Sequence, residues 1–102
     1  MSKEKNIIGS NSKPRVSVFR SNKFISAQAI NDEKGITILS KSSKIIKSKQ
    51  KPIEKAFETG KVMGEGLKSL KITEIVFDRN NYRYHGQVKS FADGIRQAGI
   101  KF

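Results

Sequence analysis

Residues Arg15–Ser40 read RVSVFRSNKFISAQAINDEKGITILS. Three short runs inside this stretch, RVSVFR from Arg15, FISAQAI from Phe24 and ITILS from Ile36, alternate outward and inward positions and are rich in β-branched and aromatic residues. That pattern is the signature of half-buried strands. The links between them, Ser21-Asn22-Lys23 and Asn31-Asp32-Glu33-Lys34-Gly35, are short enough only for hairpins, and Gly35 can take the positive φ that a hairpin exit often requires. The stretch therefore predicts an antiparallel three-stranded meander.

Toward the N-terminus, Met1 to Lys13 is polar, with Lys3, Lys5 and Lys13 and only the Ile7-Ile8 pair to bury. The expected division is a flexible basic arm over residues 1–13, closed by Pro14, and one α/β domain over residues 14–102. Such an arm orders on binding, at a cost in conformational entropy.

Toward the C-terminus, Lys41 to Lys51 carries five lysines and no acid, which predicts a solvated connection. Pro52 suits the first turn of a helix. Ile53, Ala56, Phe57, Gly60, Met63, Gly64, Leu67 and Leu70 then recur at three- and four-residue steps as one apolar stripe. Each helical glycine costs about 1 kcal/mol against alanine, so Gly60, Gly64 and Gly66 predict a backbone pressed closely on the sheet. Thr73 to Asp78, TEIVFD, is a fourth strand. Its unbroken apolar run suggests cover on both faces, and its place between two helices makes it parallel. Arg79 to Tyr84 is a loop, and a last helix runs from about His85 to Ala98 with Val88, Phe91, Ala92 and Ile95 buried. Gly99 fits a Schellman cap that brings Ile100 onto Ile95. The fold class is α/β, a mixed sheet packed with two helices in the order β-β-β-α-β-α.

The 102 residues allow one real core, and Lys plus Arg number 21 against nine Asp plus Glu, a formal net charge of +12. An anionic partner is the consequence. With no cysteine and one histidine, disulfide frameworks, thiolate cages and multi-histidine metal sites are excluded, and no metal or cofactor is expected. No apolar run approaches the length of a spanning helix, and the first twelve residues lack a signal-peptide core, so the expectation is an intracellular protein with no membrane partner.

Catalysis has little support. His85 could be combined with Asp78 or Asp93 and Ser90, but no nucleophile elbow surrounds Ser90, and GEGLKSL from Gly64 lacks P-loop spacing. No enzyme activity and no small-molecule substrate are expected. The basic residues say more. Arg15, Arg20, Asn22 and Lys23 lie on or beside the first two strands, while Arg79, Tyr82, Arg83, Tyr84, His85 and Lys89 crowd the fourth-strand exit and the last helix start. Guanidinium forks bind phosphate, tyrosine rings stack on unpaired bases, and a helix N-terminus offers free N–H groups. The blander alternative is that Tyr82 and Tyr84 merely pack the loop. Asp78 is expected to orient Arg79 or Arg83, or to accept loop N–H groups. Phe102 is expected to tuck its ring beneath the last helix.

FDRNNYRYHGQVKSFADGIRQAGIKF, Phe77 to Phe102, resembles the C-terminal signature of the bacterial ribosomal protein L18 family. The resemblance continues in KPRVSVFRSNKFISAQAI from Lys13 to Ile30, in the hairpin with Gly35 and in the glycine-containing helix after Pro52. It implies a translational-machinery domain distantly like a ribonuclease H sheet without its metal carboxylates. It also implies a structural constituent of the large ribosomal subunit, cytoplasmic, that binds 5S rRNA and helps attach it to 23S rRNA in the central protuberance beside neighbouring ribosomal proteins. By matching position the RNA contacts are Arg15, Arg20, Ser21, Asn22, Lys23, Arg79, Tyr82, Tyr84, His85 and Lys89. Arg83 and the arm lysines Lys3, Lys5 and Lys13 complete the candidate set. The chain departs from the family pattern in its short arm, in Ser26 where tyrosine is common, and in Asn80-Asn81 where the pair usually includes glycine. The rival reading is a nonspecific nucleic-acid binder that uses charge alone.

Overall fold

The computed structural model describes residues 13–46 and 50–102. The expected arm, apart from Lys13, lies outside the described residues, as do Lys47 and Lys49 of the lysine-rich connection. The elements are β1 (Arg15–Arg20), β2 (Ile25–Asn31), β3 (Ile36–Ser42), a 3₁₀ turn over Ser43–Ile45, α1 (Pro52–Ser69), β4 (Val76–Asp78) and α2 (Gln87–Gln97). The sheet order is β3-β2-β1-β4, with β1, β2 and β3 antiparallel and β4 parallel to β1. This is the predicted mixed α/β architecture in the predicted element order.

Period-two alternation sends one set of strand residues to the core. Val16 and Val18 of β1 and Ile25, Ala27 and Ala29 of β2 pack with Ala56, Met63 and Leu67 of α1 and with Val88, Phe91 and Ile95 of α2. Both helices thus cover the same face. Removing this apolar surface from water, at about 25 cal/mol per Å² buried, is the main favourable contribution to folding.

The glycines of α1 work differently from the expectation. A Cβ on Gly60 would collide with the Phe91 carbonyl oxygen, and one on Gly94 of α2 with the Phe57 carbonyl oxygen. Gly64 faces Ala98 and Ile95, and only Gly66 faces the sheet, where an added Cβ would stand 2.8 Å from Leu39 Cδ2. The close approach is chiefly helix on helix, with backbone against backbone.

Three boundaries and two burial expectations also differ. β3 continues to Ser42, because Ser42 pairs with Ser26, and the buried Ser43 hydroxyl accepts from the Ile25 N–H at 3.0 Å. The start of the lysine-rich connection is therefore structured. The fourth strand is only three residues long, because the Ile75 N–H donates to the Lys101 carbonyl and Glu74 bridges Lys101, so Thr73–Ile75 pairs with the chain's end. Val76 and Phe77 are half-buried, since helices cover one face of the sheet and not both. Ile53 and Leu70, at the two ends of the predicted stripe, are exposed. α2 begins at Gln87, two residues later than predicted, because Gly86 stands at φ 58° and ψ −127°, outside any helical conformation.

Turn and cap chemistry follows the prediction more closely. Gly35 has φ 65°, and Asn31 Oδ1 accepts from the Glu33 and Lys34 N–H groups ahead of it. At the end of α2 the Gly99 N–H donates to the Arg96 carbonyl and the Ile100 N–H to the Ile95 carbonyl, the paired bonds of a Schellman cap. Phe102 is half-buried beside α2. Its ring stacks on Phe77 with centroids 5.1 Å apart, and the Arg96 guanidinium carbon lies 4.1 Å from its centroid.

Candidate nucleic-acid interface

Because β4 runs parallel to β1, the loop after β4 emerges at the same end of the sheet as the β1–β2 turn, and α2 starts there too. The topology thereby gathers two segments that lie some sixty residues apart in sequence.

The turn is built by Ser21. Its N–H donates to the Phe24 carbonyl at 2.8 Å and its hydroxyl accepts from the Phe24 N–H at 3.2 Å, which leaves Asn22 and Lys23 exposed at the tip. Gln87, the first residue of α2, fastens this turn from the other side. Its Nε2 donates to the Ser21 and Asn22 carbonyls at 3.0 and 3.2 Å. Gln87 is only 7% exposed, and its Oε1 has no hydrogen-bond partner among the described residues. Sequence reasoning missed it. The available signal was a polar residue placed directly after a glycine at a helix start.

The loop is braced as firmly. Asn80 and Asn81 hold φ of 51° and 69°, the left-handed conformation that asparagine tolerates better than other non-glycine residues. The Asn80 N–H donates to Asp78 Oδ1 at 3.0 Å, while its side-chain amide donates to Ser17 Oγ at 2.8 Å and the Val18 carbonyl at 2.9 Å. Arg79 donates back to the Tyr82 carbonyl. Asp78 thus accepts a loop N–H, as one of its two expected roles required.

Its guanidinium partner, however, is Arg15 and not Arg79 or Arg83. Arg15 Nη1 donates to Asp78 Oδ2 at 2.8 Å, and its Nε and Nη2 grip Asp32 bidentately at 2.9 and 3.0 Å. The hydrogen bond to Asp32, ahead of that to Asp78, raises the Arg15 pKa above the ordinary arginine value despite the opposing effect of partial burial. Arg15 therefore ties β1 to the β2–β3 turn and to β4. Its fork is directed at the protein's own carboxylates.

Both tyrosines are engaged in packing. Tyr82 Oη donates to the Arg20 carbonyl at 3.3 Å, and the Arg20 guanidinium carbon lies 5.4 Å from the Tyr82 ring centroid. Tyr84 Oη accepts from Arg96 Nη1 at 2.6 Å, with its ring edge on Phe77. Tyr82 is half-buried, whereas Tyr84 keeps 40% of its surface exposed while its hydroxyl is held.

Arg20, Lys23, Arg79, Arg83 and His85 remain exposed around this end. Lys89 is exposed as well. Its 3.0 Å pair with Asp93 is open to solvent on both sides, a type of pair worth about 0–1 kcal/mol and easily exchanged for a stronger anion. Arg20, Arg83, His85, Gly86 and Gln87 line one hollow of about 180 Å³. A neighbouring one of about 540 Å³ adds Asn22, Lys51 and the carboxylate of Glu54. α2 opens onto this region with no capping side chain and no acid in its first turn, so its free N–H groups and positive dipole end are available to an anion. Lys13 lies at the opposite end of β1, about 20 Å away at 3.3 Å per residue, and is not part of this cluster. Lys3 and Lys5 lie outside the described residues.

The arrangement suits phosphate binding. Of the residues considered for catalysis beside His85, all three are otherwise occupied: the Ser90 hydroxyl donates to the Ile53 carbonyl at 2.6 Å, Asp93 takes Lys89, and Asp78 takes Arg15. Among the described residues no group of three or more His, Cys, Asp or Glu could hold a metal ion, and no helix is long and apolar enough to cross a membrane.

Comparison with known proteins agrees with this geometry. Residues 3–102 match the family described as ribosomal L18 of archaea, bacteria, mitochondria and chloroplast. The large ribosomal subunit protein uL18 of Brachyspira hyodysenteriae is 52% identical over 98 residues, covering 94% of this chain and 82% of the relative. Its counterparts in Aster yellows phytoplasma and Thermus thermophilus are each 47% identical, over 106 and 88 residues, covering 96% and 86% of this chain and 93% and 79% of the relatives. The chain belongs to the ribosomal L18 family.

Proposed function

We propose that the protein is a structural constituent of the large ribosomal subunit that binds 5S rRNA and helps attach it to 23S rRNA in the central protuberance, next to other ribosomal proteins and in the cytoplasm. It acts without catalysis. The observation that carries this reading is the braced edge, in which Gln87 and Asn80 lock a turn and a loop from distant parts of the chain into one basic surface. A surface shaped before binding loses little conformational entropy on contact, and it can select one RNA shape over another.

In this surface Arg20, Lys23, Arg79, Arg83, His85 and Lys89 contact phosphates, with Ser21 and Asn22 at the turn. Arg15, Tyr82 and Tyr84 hold the surface in shape. Lys13 adds a cation from the other end of β1, and Lys3 and Lys5 belong to the same 1–13 arm that precedes the 14–102 domain and bind RNA with it. A gel-shift or filter-binding assay with 5S rRNA, challenged by excess tRNA, tests the proposal. Retention of 5S rRNA under that challenge is expected. Equal displacement by tRNA would instead support a charge-only binder, since counterion release alone does not distinguish RNA shapes.

A further inference from the structure

The face of the sheet opposite α1 and α2 carries no helix among the described residues; Asn80 covers it at Ser17, and at its turn end it presents Phe19. This ring is 51% exposed, more than any other aromatic among the described residues. Its cross-strand partner is Ser26, whose own partner on β3 is Ser42. Two small side chains beside a large one leave a hollow of about 290 Å³, closed at one side by Phe24 and rimmed by Arg20 and Lys44. No carboxylate lines it, and the acids that border the sheet, Asp32 and Asp78, are both bound to Arg15, Asp78 from its place beside Ser17, two residues before Phe19. Tyr82 and Tyr84, the rings suggested by sequence as stacking platforms, are held by the Arg20 carbonyl and by Arg96.

An apolar ring left open to water, hydroxyls able to meet a polar edge, and a cationic rim without an acid form a combination that fits one ligand chemistry. The ring offers a face to a π-system, the cations meet phosphates on either side, and the hydroxyls accept or donate at a base edge. An apolar side chain from a neighbouring protein would satisfy the ring but leave Arg20 and Lys44 without a counter-charge. We infer that Phe19 is the stacking seat for an unpaired RNA base. This rests on the proposed 5S rRNA function and adds to it a second contact surface, on the open sheet face and outside the loop and helix start.

The test uses the full chain, 5S rRNA transcript and two variants, Phe19→Ala and Phe19→Trp. The protein has no tryptophan, so the introduced indole is its only one. Stacking on an aromatic residue is worth about 1–3 kcal/mol per base, so Phe19→Ala should weaken 5S rRNA binding by about five- to 150-fold. The slope of log affinity against log salt should stay unchanged, because no phosphate contact is lost. Phe19→Trp should keep wild-type affinity, and its fluorescence should be quenched by 5S rRNA and by single-stranded oligoadenylate. Unchanged affinity in Phe19→Ala, or indole emission that neither RNA alters at saturation, would overturn the inference. If the wild-type chain fails to prefer 5S rRNA over tRNA, the functional reading falls instead, and the oligoadenylate arm still decides the stacking seat. Circular dichroism of both variants checks that the exposed substitution leaves the fold intact.

Discussion

Arg15 shows how a single residue can change meaning once its neighbours are known. In the sequence it is one more cation in a basic strand. In the structure it holds two carboxylates with three ionic hydrogen bonds, at a side-chain exposure of 22%. Arg15→Gln should therefore lower stability by about 1–3 kcal/mol, because it leaves Asp32 and Asp78 near each other without their shared cation. A urea titration at unchanged m-value measures this. Unchanged stability with weakened RNA binding would mean that the fork serves phosphate instead. The raised guanidinium pKa keeps the Arg15 side of these pairs charged at every pH below the ordinary arginine value, and that side is lost only as pH rises beyond it. Arg83 is the contrasting case. It is exposed, lines the hollow beside Gln87, and Arg83→Ala should leave the urea midpoint unchanged. Its 5S rRNA affinity should fall about tenfold, with the salt slope reduced by about one in a binding series at rising salt.

At the level of elements, two glycine substitutions separate backbone conformation from packing. Gly35 is in open space at φ 65°, so Gly35→Ala should cost about 1 kcal/mol, the conformational penalty alone. Gly60 has no conformational demand that is special to glycine, but its missing Cβ is the space occupied by the Phe91 carbonyl. Gly60→Ala should cost about 2–4 kcal/mol, since α1 and α2 must move apart and loosen the core between them. Thermal unfolding of both variants checks the order, and a smaller loss at Gly60 than at Gly35 would contradict it. The elements themselves were largely legible, because their signals are local. Alternation marked the three-stranded meander, the period of three to four marked α1, and Gly99 marked the end of α2. The ends that misled are those set by partners distant in sequence. Thr73–Ile75 has the composition of a strand, yet it pairs with Lys101, and Ser43 has no apolar character, yet it closes the edge of β2.

Across the whole molecule, the parallel entry of β4 decides where function can sit. It delivers the Arg79–Gly86 loop to the same end as the Ser21–Lys23 turn, and the uncapped start of α2 completes the edge. The candidate cations were legible there, since charge needs no structure to be counted. Gln87 and Phe19 were not, because one is defined by carbonyls 65 and 66 residues away and the other by the smallness of its cross-strand neighbours.

By itself the sequence determined the α/β class, the element order, the basic character and the family resemblance, since periodicity, turn residues and charge are properties of neighbours along the chain. Only the tertiary structure decided which cations face outward, because exposure depends on which carboxylates and carbonyls folding brings within hydrogen-bonding distance. Arg15 was turned inward, Tyr82 and Tyr84 were taken into packing, and Arg20, Arg83 and His85 were left around a hollow at one end of the sheet.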